Sequence, residues 1–554
     1  MAANNLIPVP PGDRWRLLAL VLLALCLRGY TVANTTVPSR DCIVFVRDGL
    51  QLESPPPEYE SRLAVLRKLE HHPGYPVAIV VMSWPVRSIM GETTVASMSL
   101  SAQLVSALAA VLLVFPMFFL ARRVFDRNIA YAASAIFTVL PVYVDVSSDG
   151  ISDSLFLLTV AWALWFAAQA MDASNWKRAF LFGSGSGACC GIGYLLRIEV
   201  GVVALGIGLT LAGTLLNRLA RRGPSRQPLF AGIGLVLGFC VFFGPYVQAI
   251  GKLTNKPTAG ALIEGALKGE APKKTYFERD ESRLRGVNLP IAAWWNDKAF
   301  EGQSKPVWAL KALWAEYSKA AHYVVPFFGL IGLLISLRRL SDPRLMMLVL
   351  TSVFHLCVLY TLVLRNDYVS QRHTLLTVMI TTIFVAVALP AIGSFSLRLW
   401  HRPSATSQLA VWMKQRTPWQ VGAFLTLAIL AVAITRDLRS LHHERSAHKE
   451  AGLWLKEHGD PSIPIIDPFG WTEWYAGRTL DRWPDPHQPL TVPLYVIFEP
   501  YSDSAHSRLA KYEIAQGLHD KPGSVALVEY TPNGKPKKRV VVYLFTPEPK
   551  KKGK

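Results

Sequence analysis

The sequence predicts an α-helical polytopic membrane protein of about eleven transmembrane helices, closed by a small C-terminal α/β domain. Eleven apolar stretches, most near the roughly 20 residues that cross the hydrocarbon as a helix, fill the first 436 residues. The short loops between them alternate between basic and acidic or aromatic. Beyond Arg436 the long apolar runs stop, and short strands and amphipathic helices replace them. A hydrophobic content of 51% and a net charge of +19 fit this reading.

The spans lie near 15–33, 98–121, 129–146, 153–171, 179–196, 199–217, 228–250, 322–337, 345–364, 373–396 and 419–436. The first is too long for a cleaved signal peptide and lacks a small-residue exit, so it is a membrane helix. With the N-terminus in the cytoplasm, inside loops carry about eighteen Lys and Arg, including Arg122, Arg123, Lys177, Arg178, Arg338, Arg339 and Arg344. The short outside loops carry only Arg197, Arg365 and Arg372. This positive-inside asymmetry puts residues 437–554 outside the cytoplasm and predicts a multi-pass membrane protein.

Residues 1–436 form the membrane module, with outer loops 34–97 and 251–321. Tyr75–Met90 is apolar but broken by Pro76, Pro85 and Arg87, as in a helix lying in the interface. In the second loop a basic start (Lys273, Lys274, Arg279, Arg283, Arg285) precedes Trp294, Trp295, Trp308 and Trp314, an interfacial belt or a lid. The tail predicts helices at 448–458 and 504–518 and strands at 463–466 and 490–498. A hairpin of 525–530 and 540–545 turns at Asn533-Gly534.

The basic balance follows from cytoplasmic flanks, and no nucleic-acid motif accompanies it. Six cysteines, five in or beside spans, exclude a disulfide framework or a cysteine metal site. The tail has neither a glycine-rich phosphate loop nor a nucleophile elbow, so it serves an accessory or acceptor-binding role.

Ionisable groups gather in the outer loops, where they are costly and usually functional. They are Asp41; His71 and His72 before Tyr75; Asp149 and Asp153; Arg197 and Glu199; and Arg365, Asp367, Tyr368 and Arg372.

Residues 15–400 resemble the C-type (GT-C) polytopic glycosyltransferases, specifically the bacterial group of protein O-mannosyltransferases and the aminoarabinose transferase of lipid A. The likeness lies in Asp41 soon after the first span, His72-Pro73-Gly74-Tyr75-Pro76 and Ala121-Arg122-Arg123-Val124-Phe125. It continues in Ser148-Asp149-Gly150-Ile151-Ser152-Asp153, Leu196-Arg197-Ile198-Glu199 and Tyr368-Val369-Ser370-Gln371-Arg372-His373. Phe45 and Ile198 stand where the family has Tyr and Pro. The resemblance implies inverting transfer of a sugar, mannose by family default, from a polyprenyl-phosphate donor to a protein, lipid or glycan acceptor.

Such a transfer needs a base on the acceptor hydroxyl and cations on the leaving phosphate. Asp41 is the candidate base, expected to be made more basic by desolvation. Asp149 is the second catalytic candidate. Arg197, Arg365 and Arg372 would hold phosphate, with His72, Tyr75, Asp153, Glu199 and Tyr368 as further substrate contacts. A divalent metal at His71 and His72 is possible but not favoured, because no third ligand is spaced for it. A transporter or lipid flippase, and a noncatalytic envelope assembly protein, are the competing classes.

Overall fold

The structure, a computed structural model, describes residues 11–69, 71–256, 260, 292–294, 304–366, 368–400, 417–478, 492–500, 510–532 and 535–547. Lys273, Lys274, Arg279, Arg283, Arg285, Trp295, Asp367 and the Asn533-Gly534 turn lie outside them.

In chain order the membrane module begins with α1 (Pro11–Ala33), α2 (Arg40–Glu53), α3 (Arg62–Lys68), α4 (Gly74–Met90) and α5 (Val95–Val124). It continues with α6 (Arg127–Thr138), α7 (Pro141–Ser148), α8 (Asp153–Met171), α9 (Trp176–Tyr194), α10 (Val200–Ala220) and α11 (Arg226–Ile250). Strand β1 (Ala292–Trp294), α12 (Lys305–Ala320), α13 (Val324–Ser336), α14 (Pro343–Asn366), β2 (Tyr368–Ser370), α15 (Leu375–Trp400) and α16 (Pro418–Asp437) complete it.

Among the described residues, eight helices are long and apolar enough to cross a membrane, and counting two bent pairs as single spans gives ten. The eleventh expected span is α9, 19 residues long but diluted by Gly and Ser. Those small residues let it touch α11 backbone to backbone. Helices α5 and α15 are the most enclosed. Helices α1, α11 and α16 turn Leu22, Leu25, Val241, Phe424 and Leu427 outward, as lipid-facing surfaces do.

Two expected spans are broken. The stretch 129–146 bends by 60° between α6 and α7, because Pro141 cannot continue the preceding helix but suits the first position of a new one. Residues 322–337 follow a 101° corner, where His322 and Tyr323 both hold positive φ (54° and 58°). The preceding α12, expected as outer loop, is a helix whose Trp308, Ala312 and Leu313 pack on Leu359 and Val363 of α14.

The interfacial stretch forms α4, with Val77, Val81, Trp84 and Ile89 exposed on its surface. The Trp-rich loop returns a strand to the module: β1 pairs antiparallel with β2, Trp294 opposite Tyr368.

In the tail, α17 (Ser446–His458), β3 (Ile465–Ile466), α18 (Trp471–Tyr475), β4 (Leu494–Phe498), α19 (Ala510–His519), β5 (Ser524–Tyr530) and β6 (Val540–Phe545) build a four-stranded sheet of order β3-β4-β6-β5. Strands β3 and β4 are parallel and the other pairs antiparallel. Phe469, Trp471 and Trp474 belong to the core of the membrane module. Trp474 Nε1 donates to Ser99 Oγ at 3.2 Å and Trp471 Nε1 to the Pro38 carbonyl at 3.0 Å. Burying two indoles with both N–H groups satisfied docks the tail firmly.

Candidate functional site

One end of the helix set collects the acidic and basic loop residues. The opposite end is tied by Arg123 to Asp172 at 2.7 Å and by Arg344 to Asp172 at 3.0 Å and Asp342 at 2.8 Å.

At the site end, Ser39 caps α2: its Oγ accepts from the Cys42 N–H at 3.2 Å and donates to the Asp149 carbonyl at 3.1 Å. This cap starts the helix with Asp41 in its first turn and joins the first loop to the Asp149 loop. Arg372 follows β2 in a short turn of 3-10 helix, fixed by hydrogen bonding between Ser370 and His373.

Arg372 and Asp41 form an ion pair, with 32% and 39% of their side chains exposed, open enough for a ligand to reach. The Arg372 guanidinium, aided by His71 and Arg40, holds the Asp41 carboxyl below the usual carboxylate range despite burial pulling the other way. The expectation of a more basic Asp41 is corrected: an opposite charge in contact outweighs desolvation.

A second ion pair lies alongside. Arg197, in the tight turn between α9 and α10, binds Asp153 in the first turn of α8 and reaches Glu199 Oε1 at 3.1 Å. Its guanidinium also lies over the Phe156 ring at 5.6 Å. Arg197, Arg372, Asp153, Glu199, His355 and His373 line one small pocket, so four residues singled out from sequence converge with two histidines that were not.

Asp149 follows α7 and has one carboxylate oxygen buried without a hydrogen bond among the described residues. The other faces His442 Nε2 at 3.0 Å. Gly150 holds φ +70°, and a Cβ there would sit 2.7 Å from Cys42 Sγ, beside Asp41. Gly150→Ala should therefore cost about 1–2 kcal/mol in backbone strain alone and displace Cys42. A lower melting temperature together with reduced turnover is the expected result.

The other expected contacts stand further back. Tyr75 is fully buried, its hydroxyl donating to the Ala102 carbonyl at 2.9 Å and contacting Ser106 Oγ at 2.6 Å, so it braces α4 on α5. His72 is buried against Tyr194 and Tyr246, with Nε2 3.1 Å from Thr254 Oγ1. Burial lowers its pKa to about 4, so it is neutral at physiological pH. Arg365 ends α14, and Tyr368 begins β2 edge-on to His373 at 5.6 Å between ring centroids. Among the described residues no group of three or more His, Cys, Asp or Glu could hold a metal ion.

The residues missed by sequence reasoning are His355, His373, His442 and Arg445. His355 lies in an apolar run with nothing local to mark it, whereas His373 directly follows Arg372 at the end of the Tyr368–His373 stretch. His442 and Arg445 lie in a linker whose only sequence signal is the polar run His442-His443-Glu444-Arg445.

Behind the pocket an apolar cavity of about 560 Å³ lies among α12, α13, α14 and α15. Leu310, Trp314, Leu330 and Val353 line it and are exposed, so it opens sideways where lipid would lie. Thr377 lines this cavity and is 2.7 Å from Nδ1 of His355 in the polar pocket, so the two spaces share a wall.

Solved structures share this architecture. The crystal structure of ArnT from Cupriavidus metallidurans bound to undecaprenyl phosphate aligns with 97% of this chain and 100% of its own, at 12% identity and a TM-score of 0.56. The archaeal oligosaccharyltransferase AglB from Archaeoglobus fulgidus, in complex with an inhibitory peptide and a dolichol-phosphate, aligns over 90% of this chain at 13% identity and a TM-score of 0.53. The chain spans 64% of AglB's length. At such identities the likeness is one of fold, a polytopic helical membrane module with a small C-terminal mixed sheet. Residues 81–246, under a third of the chain, match the family described as dolichyl-phosphate-mannose-protein mannosyltransferase. No curated protein matches the sequence significantly.

Proposed function

We propose that this chain transfers a mannose-like hexose from a polyprenyl-phosphate donor to an acceptor hydroxyl, with inversion at the anomeric carbon. The basic end of the helix set faces the cytoplasm and the site faces the opposite side. The observation that carries the reading is the pairing of Arg372 with Asp41, beside Arg197 and its two carboxylates, with a lipid-accessible apolar cavity behind a shared wall.

Asp41 takes the acceptor proton as the acceptor oxygen bonds to the anomeric carbon. The bond from that carbon to the phosphate oxygen breaks, and polyprenyl phosphate leaves with its new charge held by Arg372 and Arg197. The resting ion pair keeps Asp41 a weak base. Donor phosphate competes for Arg372, and drawing the guanidinium away restores basicity to Asp41 when a donor is present. Asp153 and Glu199 hold Arg197 in position. The isoprenoid tail occupies the apolar cavity, whose volume is in the range of small-ligand sites.

The tail assignment is tested by Val353→Trp, which fills the cavity mouth. A long-chain polyprenyl donor should lose about tenfold in affinity, equivalent to about 1.4 kcal/mol, while a donor with a short tail is unaffected. Equal losses for both donors would place the tail elsewhere. The reading as a whole fails if the purified protein in lipid releases no polyprenyl phosphate from any polyprenyl-phosphate sugar.

A further inference from the structure

We propose that the C-terminal domain is part of the reacting site: His442, on the linker after α16, reaches back to orient the Asp149 carboxylate as a positioning residue, with Arg445 bracing the same linker. The proposal rests on the transferase reading for its consequence in turnover, but the contact itself is independent of that reading.

His442 Nε2 lies 3.0 Å from Asp149 Oδ2, and its Nδ1 lies 3.7 Å from Glu444 Oε1, so the imidazole spans a carboxylate of the membrane module and one of its own linker. His442 also holds a left-handed backbone, φ 56° and ψ 29°. Glycine would adopt that conformation more cheaply, so a histidine there points to a demand for the side chain. Arg445 lies within electrostatic reach of Asp149, Asp41, Glu444 and Glu499. Its guanidinium sits 4.5 Å from the centre of the Trp471 ring, the same indole that donates to Pro38 three residues before Asp41. Glu444 in turn is 3.6 Å from Lys535 in the segment between β5 and β6. The linker is thus held on one side by the domain and on the other by Asp149.

The linker is also sewn to the first loop. The Thr36 N–H donates to the Leu441 carbonyl at 3.1 Å, and Ser440 Oγ donates to the Asn34 carbonyl at 2.9 Å. His442 therefore follows directly from a backbone anchor, and its approach to Asp149 is set by the docking of the tail. Oδ2 meets His442 as a close ion-pair contact off hydrogen-bond geometry, and the buried Oδ1 of Asp149, without a hydrogen bond among the described residues, is the atom left to meet a substrate hydroxyl.

The charged groups facing His442 are Asp145 and Asp149 from the membrane module and Glu444 and Arg445 from the linker. Burial lowers the imidazole pKa, but Asp149 and Glu444 more than offset this and raise it from 6.5 to about 9. A raised folded-state value means that the pair's stabilisation is full below pH 6.5 and is lost as pH rises through about 9.

The test uses the full chain in lipid, as wild type, His442→Gly, His442→Lys, Asp149→Asn and the His442→Gly/Asp149→Asn double variant. The first readout is the melting temperature against pH, which needs no turnover. The wild type should lose stability between pH 6.5 and about 9; His442→Gly should remove that component and Asp149→Asn, which leaves Glu444, should shrink it. Its persistence in His442→Gly, or at full size in Asp149→Asn, overturns the contact. The second readout is kcat: His442→Gly should lower it by roughly tenfold to a hundredfold with donor KM unchanged. His442→Lys, which keeps a cation, should recover part of the loss. In the Asp149→Asn background His442→Gly should cost nothing further, because the two act as one unit. Additive losses, or unchanged kcat in His442→Gly, would leave His442 a structural residue only and overturn its positioning role. A wild type without turnover removes the transferase reading and with it the positioning role, while the pH-dependent melt still decides the contact.

Discussion

Asp41→Asn should lower transfer by about a hundredfold to ten thousandfold while donor binding is kept, the loss expected when a positioned general base is removed. Asparagine has nearly the same shape, and its carbonyl can still accept from Arg372, so the loops stay in place. On the proposed mechanism, what disappears is the group that takes the acceptor proton. Donor affinity should hold or rise, because Arg372 no longer divides itself between a carboxylate and the donor phosphate. Comparing donor binding with polyprenyl phosphate release in lipid separates the two effects. Equal turnover in both proteins would move the base elsewhere, with Asp149 next in line. An acid-side signature accompanies the change. Arg372 holds the Asp41 pKa below its unfolded value, so this pair's stabilisation is full above roughly pH 4 and is lost as pH falls further. The Asn variant should lack that loss.

Gly187→Ala should destabilise the membrane module by about 3 kcal/mol or more, because the added methyl meets fixed backbone. A Cβ at Gly187 would lie 2.1 Å from the Leu235 carbonyl oxygen of α11. Its neighbours one turn away are as tight: Gly183 would meet the Ala231 carbonyl at 2.3 Å and Gly191 the Phe239 carbonyl at 2.8 Å. From the other side, Gly238 would meet the Ser184 carbonyl at 2.2 Å. The two helices touch along this seam, so one methyl must push them apart over several turns. Since α9 ends at the turn carrying Arg197, turnover should fall along with the melting temperature. Gly213→Ala in α10 is the control: a Cβ there meets nothing within 4 Å, and alanine should be neutral or stabilising by up to about 1 kcal/mol through helix propensity. If both variants melt alike, close α9–α11 packing is not what holds the module together.

Much of this protein could be read without a structure, because a bilayer leaves few choices. Apolar length specifies a helix, and the charge of the loops specifies a side. That was enough to set Asp41, Asp149, Asp153, Arg197, Glu199 and Arg372 at one end, where the structure brings Arg372 onto Asp41 and Arg197 onto Asp153 and Glu199. The same rules gave no sign of the breaks at Pro141 and at the His322-Tyr323 corner, where composition suits a span but local backbone geometry turns the chain. Nor did they show that the glycines of α9, expected as a span, serve contact with α11.

By itself the sequence set Asp41, Asp149, Asp153, Arg197, Glu199 and Arg372 at the site end, since span length and loop charge are local properties of the chain. Only the tertiary structure decided which of them meet. Asp41 becomes a weaker base and not a stronger one because Arg372, 331 residues away in the chain, lies against it. Tyr75 turns inward because Ala102 and Ser106 take its hydroxyl. His442 reaches Asp149 because two buried indoles dock the tail on the first loop and α5. Contacts between segments so distant depend on how helices pack and where they bend, and a pattern of residue types along the chain carries no record of either.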